Sequence, residues 1–176
     1  MSMKDIVGKL IDMNNAGSLT DDNIRPVVEY RVTDNYSKPM TQVASELKSL
    51  GMNEEAERII RQIGLINSGS ESMLTELGRQ NVRKAQIIER GMVGHGRSGY
   101  VPTGNLMRSI KIHKLTDGRL QVYPEATTKK GTEYGRFVEY GTRKHPTPEP
   151  FMYQSNKEMQ PVISKEVAEL MKGAGF

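Results

Sequence analysis

The chain contains no cysteine and no tryptophan. Without cysteine there are no disulfides, no thiolate nucleophile and no zinc site built on sulfur. That suits the reducing cytosol. No apolar run approaches the ~18 residues a membrane span requires, and the amino terminus lacks a signal-peptide core. The expectation is a soluble protein that is not exported by the usual route. Histidine is scarce too: His95, His113 and His145 lie far apart, and none has a metal-ligand partner at i, i+4 spacing. Glu133 and Glu139 are offset by six positions, which does not put both carboxylates on one helix face. No serine of the nucleophile-elbow type is present. The expectation is a protein that is not an enzyme and takes no cofactor or metal.

The 176 residues make one domain, or one domain with an extension, long enough to bury a core. Hydrophobic content is a modest 36%, so that core must be economical. The 11 methionines suit irregular gaps and adaptable contact surfaces. The net charge of +4 is unevenly placed: Arg97 to Lys144 holds ten Lys or Arg and four acids. A basic segment attracts nucleic acid, acidic partners or an acidic neighbouring subunit, but an ordinary solvated mixed surface also explains it.

Periodicity predicts helices through the first half. Met3 to Met13 carries an apolar stripe of Ile6, Val7, Leu10 and Ile11, followed by a turn-rich break over Asn14 to Asp22. Alternation over Val27 to Val32 allows a short strand. Pro39 and Gly51 bracket a helix with the stripe Met40, Val43, Leu47 and Leu50. Asn53 suits an N-cap for the next helix, with Ile59, Ile60 and Ile63 buried and a linker at Asn67 to Ser70. A longer helix, Glu71 to Arg90, follows. Gly91 to Gly99 lacks the strand before it and the Gly-Lys-Ser/Thr ending of a phosphate loop, so it reads as a hinge or contact loop. Ile110 and Ile112 mark a strand, Asp117-Gly118 a tight hairpin turn, and Leu120 and Val122 the returning strand. A last helix starts near Pro150, and Pro161 should kink or interrupt it. The fold class expected is α+β, several helices on a small, mostly antiparallel sheet. The division expected is a helical extension over residues 1–68 and an α+β domain over 69–176.

The most distinctive stretch runs from Tyr134 to Tyr153. Tyr134, Phe137, Val138 and Gly141 share one face of a short helix, and Gly141 sits where a left-handed residue ends it. Pro146, Pro148 and Pro150 then enforce an extended connection whose tip, Arg143, Lys144 and His145, is basic. Such a loop is either an exposed connection with solvated charges or a stiffened protein contact.

Tyr134 to Thr142, with Pro148-Glu149-Pro150-Phe151 after it, resembles a motif of tailed-bacteriophage neck and tail-completion proteins: Y-x-x-F-V-E-F-G-T, then P-x-x-P-F. Tyr140 stands where that family commonly has Phe, and Glu149 where it often has a small or amide residue. Thr103 to Ile110 resembles the family's T-G-x-L-x-x-S-I, which also follows a long helix and precedes a hairpin. The order agrees from about Glu71 to Leu170. The resemblance implies a motif core of Gly104, Leu106, Ile110, Tyr134, Phe137, Val138, Tyr140, Gly141 and Phe151. It also implies a structural virion subunit forming a ring, usually six-fold, at the head–tail junction or head-proximal tail end. Partners would be copies of itself, adjacent neck and portal-side adaptor proteins, and tail-tube or terminator proteins. Viral DNA would pass through the channel without sequence-specific binding, no membrane would be involved, and assembly would occur in the host cytoplasm. Arg143, Lys144, His145, Pro146 and Pro148 are the candidate contact residues. The competing reading is a nucleic-acid-binding module using residues 97–144, whose charge and tyrosines supply phosphate contacts and stacking.

Overall fold

A computed structural model describes residues 25–95, 99–115 and 118–176. The fold is α+β: β1 (Val28–Arg31), α1 (Ser37–Ser49), α2 (Asn53–Met92), α3 (Asn105–Arg108), β2 (Ile110–Lys114), β3 (Arg119–Pro124), α4 (Gly135–Tyr140) and α5 (Phe151–Gly173). The strands form one antiparallel sheet in the order β1-β3-β2. Val28 lies opposite Val122, and Ile112 faces Val122 from the other side. Strand pleating therefore puts Val28, Tyr30, Ile110, Leu120 and Val122 on one face, and all five are buried. The opposite face carries Lys111, His113, Gln121 and Tyr123, with the His113 and Tyr123 rings stacked at 3.9 Å.

The inner face packs on α2. An added Cβ at Gly78 would lie 2.7 Å from Leu120 Cδ2, so glycine lets the helix approach the sheet this closely. α5 runs antiparallel along α2, joined by Lys84–Glu158 at 3.1 Å and by Gln80 to Glu166 at 3.3 Å. Phe151, Met152, Met159 and Ile163 of α5 share one core cluster with Leu74, Leu77 and Ala85 of α2.

Several expectations are corrected. The break at Asn67 to Ser70 is absent, because α2 is one helix of 40 residues. Ser68 Oγ donates to Gly64 O at 3.0 Å and Ser70 Oγ to Ile66 O at 2.7 Å, so both hydroxyls are satisfied inside the helix. Gly69 lies where the Leu170 side chain of α5 closes on α2, which explains the small residue. A division between residues 68 and 69 thus falls within a continuous helix, and β1, from the first segment, is a strand of the sheet. Asn53 is not the N-cap of α2; Met52 holds that place, with Glu54 and Glu55 in the first turn. The α1 stripe is only partly buried, with Val43 and Leu50 exposed, while Ala44 is the buried residue of this helix. Ile60 is exposed and Ile59 and Ile63 are only partly buried, while Ile66, further along the helix, is fully buried. α5 continues through Pro161, which lies on its exposed face. The predicted helix over Met3 to Met13 lies outside the described residues, as does Asp117 of the hairpin turn.

Gly64 offers a direct check on the uninterrupted helix, since nothing lies within 4 Å of a Cβ built there. Gly64→Ala is expected to raise stability by about 0.5–1 kcal/mol, read as a higher urea midpoint at unchanged slope. A loss of stability would argue against helix at this point.

Candidate functional site

The two motif segments fold against each other. Gly104 takes φ +73° before α3, and Leu106 and Ile110 turn into the core. Gly135, the first residue of α4, sits over the same place: a Cβ there would lie 2.7 Å from Pro124 Cγ and 3.4 Å from Leu106 Cδ1. The Tyr134 amide donates to Ala126 O at 3.1 Å. Val138 is buried, whereas Tyr134, Phe137 and Tyr140 are only partly so. Burial pushes the Tyr140 phenol up to about 12, aided by the neighbouring Glu139 carboxylate. The Phe137 ring lies under the Arg136 guanidinium at 4.6 Å.

Gly141 ends α4 with φ +76° and ψ 176°. The positive φ agrees with expectation, but the extended ψ belongs to a region open essentially to glycine alone rather than to the left-handed helix. The proline loop then closes tightly: Thr142 N donates to His145 O at 2.8 Å, and His145 N to Thr142 Oγ1 at 3.0 Å. Arg143, Lys144, Pro146 and Pro148 are exposed, while His145 is partly buried against the Tyr100 ring at 4.8 Å. Tyr100 in turn donates its hydroxyl to Phe137 O at 2.6 Å. The loop is therefore fastened at its base and presents its basic tip to solvent.

Three buried carboxylates surround this loop. Glu139 is 1% exposed and accepts the amides of Met152 at 2.9 Å and Tyr153 at 2.8 Å. These are orphan donors of the first turn of α5, which has no side-chain cap of its own, so α4 caps α5 across the loop. Burial raises the Glu139 carboxyl to about 7, against the lowering effect of the two amides. Both Glu149 oxygens accept the Gly94 amide, at 3.1 and 3.2 Å, tying the loop to the end of α2. Glu89 is also buried; desolvation raises its carboxyl, Arg90 opposes this and Glu149 adds to it. Among the described residues, no group of three or more His, Asp or Glu could hold a metal ion. No described helix is long and apolar enough to cross a membrane.

A second basic turn escaped the sequence reading. Thr127 bridges Glu133, and Gly131 N donates to Thr128 O at 2.9 Å with Gly131 at φ +81°. That geometry places Lys129 and Lys130 at the two tip positions, both exposed. Thr-Lys-Lys-Gly-Thr carries the signal, a glycine where the turn needs positive φ.

No family model matches the chain, and no curated protein or solved structure matches it either.

Proposed function

We propose that the protein is a structural subunit of a tailed-bacteriophage particle, forming a ring at the head–tail junction or the head-proximal end of the tail. The observation that carries this reading is the order of the two motifs, T-G-x-L-x-x-S-I and Y-x-x-F-V-E-Y-G-T with P-x-P-F, around a β-hairpin. Supporting it, the motif residues do architectural work. Leu106, Ile110, Val138 and Phe151 are core, and Glu139 and Gly141 shape the loop before α5. The exposed Arg143-Lys144 tip on its fastened base is the surface offered to a neighbouring subunit. Negative-stain microscopy with mass measurement in solution tests the reading directly. Rings of the full chain, alone or on a partner, are expected, and metal-dependent hydrolysis of DNA would overturn it.

Arg143→Glu is expected to leave the melting temperature unchanged and to lower the yield of infectious particles. A contact weakened by about 1.4 kcal/mol shifts the joining equilibrium tenfold. Normal yield would remove this loop from the interface.

The two dibasic tips, Lys129-Lys130 and Arg143-Lys144, favour a second reading as a nucleic-acid-binding module. Submicromolar duplex binding that weakens steeply with salt would select it. A ring that merely surrounds DNA binds free duplex weakly.

A further inference from the structure

The sheet ends at β2 on one side, and the hydrogen-bond pattern shows what that edge presents. Leu115 N donates to Arg119 O at 2.9 Å, and Glu125 N to Ser109 O at 3.1 Å. Lys111 and His113 lie between these bonded pairs at the same parity, so their N–H and C=O groups also turn toward β3. Ile112 and Lys114 therefore point theirs away from the sheet, and no strand among the described residues meets them. Such an edge is a template for a further strand.

Two contacts fix which flank of α2 lies beside that template. Lys114 Nζ lies 3.9 Å from the Glu71 carboxylate, and Gln86 Nε2 donates to Met107 O of α3, just before β2, at 3.3 Å. A Cβ at Gly78 would lie 3.3 Å from Ile112 Cδ1. On this side of the helix the neighbours of Gly78 are Thr75 and Val82, both only partly buried, as is Ile112. Arg79 and Arg83 follow Thr75 at successive four-residue steps, and both are exposed. A strand added to β2 would thus meet a half-covered apolar floor, Ile112 and Val82, beside a row of cations.

Charge selects the kind of strand. Among the described residues Arg83 has no carboxylate partner, and Lys114 has only the long contact to Glu71, itself largely exposed. Arg79 lies 3.7 Å from Glu76 across the solvent-facing side of the helix. Antiparallel pairing with β2 of a second copy, centred on Ile112, would set Lys111 opposite His113. One step of register away it would set Lys111 opposite a second Lys111, and like charges face to face destabilise a sheet. Edge lysines keep basic and neutral edges away, but they favour an acidic one.

We propose that the β2 edge docks an extended acidic segment of a partner protein, which joins the sheet as a fourth strand. An apolar residue of that segment covers Val82, and carboxylates to either side of it meet Lys114 and the Arg79–Arg83 row. The inference goes beyond the particle reading and does not rest on it.

The test adds a short glutamate-rich peptide with a central valine to the full chain and follows amide exchange by NMR. The Ile112 and Lys114 amides are expected to slow about tenfold or more at saturation, while the His113 amide, already bonded to β3, stays as it was. Arg79→Glu combined with Arg83→Glu should weaken the peptide about tenfold at unchanged melting temperature. Lys114→Pro removes an outward donor and leaves the β3 ladder intact, so it should bind the peptide more weakly than Lys114→Ala, which keeps that donor. If the proline variant does not fold, the exchange data and the double arginine variant decide. Equal binding of a peptide with lysine in place of glutamate would overturn the proposal. So would Ile112 and Lys114 amides that remain fast at peptide saturation. Protection of both amides in the free chain, at twice the monomer mass, would give the edge to a second copy instead. Single-stranded DNA that binds through Arg79 and Arg83 while the peptide does not would give the flank to nucleic acid, which also overturns it.

Discussion

Phe151→Ala is expected to cost about 3–5 kcal/mol of folding stability, the largest effect of any single truncation in the motif segments. Phe151 is completely buried at the first position of α5, in the cluster that joins α2, α4 and the sheet. Its removal leaves a cavity that a helix end held by the Glu139 carboxylate cannot collapse into. Phe137→Ala serves as the internal comparison. That ring is only partly buried and is covered by Arg136, so the change should cost no more than about 2 kcal/mol. Urea unfolding of the two variants settles the ranking. If Phe137→Ala proves the more damaging, the packing at α4 described above is misassigned.

Glu139→Gln is expected to remove a pH dependence that the wild-type chain carries. The Glu139 carboxyl has an ordinary value of 4.5 and is raised to about 7 by burial, so the folded state binds the proton more tightly than the unfolded one. The resulting stability is fully present below pH 4.5 and is lost as pH rises through 7. Between pH 5 and pH 8 wild type should therefore lose about 2–3 kcal/mol relative to Glu139→Gln. Parallel stability profiles for the two proteins across that range would show that Glu139 is not desolvated as its position indicates. The glutamine keeps one acceptor for the α5 amides, so both proteins should retain the fold at pH 5, where the comparison begins.

Much of the fold was legible because its elements have clear periods. The Ile110–Ile112 and Leu120–Val122 alternations are β2 and β3. The helix expected over Glu71 to Arg90, with Leu74, Gly78, Val82, Ala85 and Ile88 along one side, lies within α2, where Leu74, Gly78 and Ala85 are buried and Val82 and Ile88 partly so. The misreadings have tertiary causes. Asn-Ser-Gly-Ser looks like a linker until Leu170 arrives against Gly69; only the partner helix explains small residues in mid-helix. The α1 stripe was correct as a helical pattern, but periodicity states which face is apolar, not whether anything covers it. At the candidate site, the short helix, the positive φ at Gly141 and the exposed basic tip followed from local chemistry. The capping by Glu139 and the Glu149–Gly94 bond did not, because each joins residues whose nearness depends on the closed loop. Phe137 shares a face with Tyr134, Val138 and Gly141, which by itself suggests burial, but it is only partly buried because its place depends on where α4 docks.

α2 is about 60 Å long. Because α1, the sheet and α5 all attach along this one rod, a push delivered at the Leu50 end is transmitted to the loop around Gly94 without passing through any hinge. The molecule should respond to load as a strut does, by tilting as a whole, and any stroke it makes would be set by how its two ends are anchored.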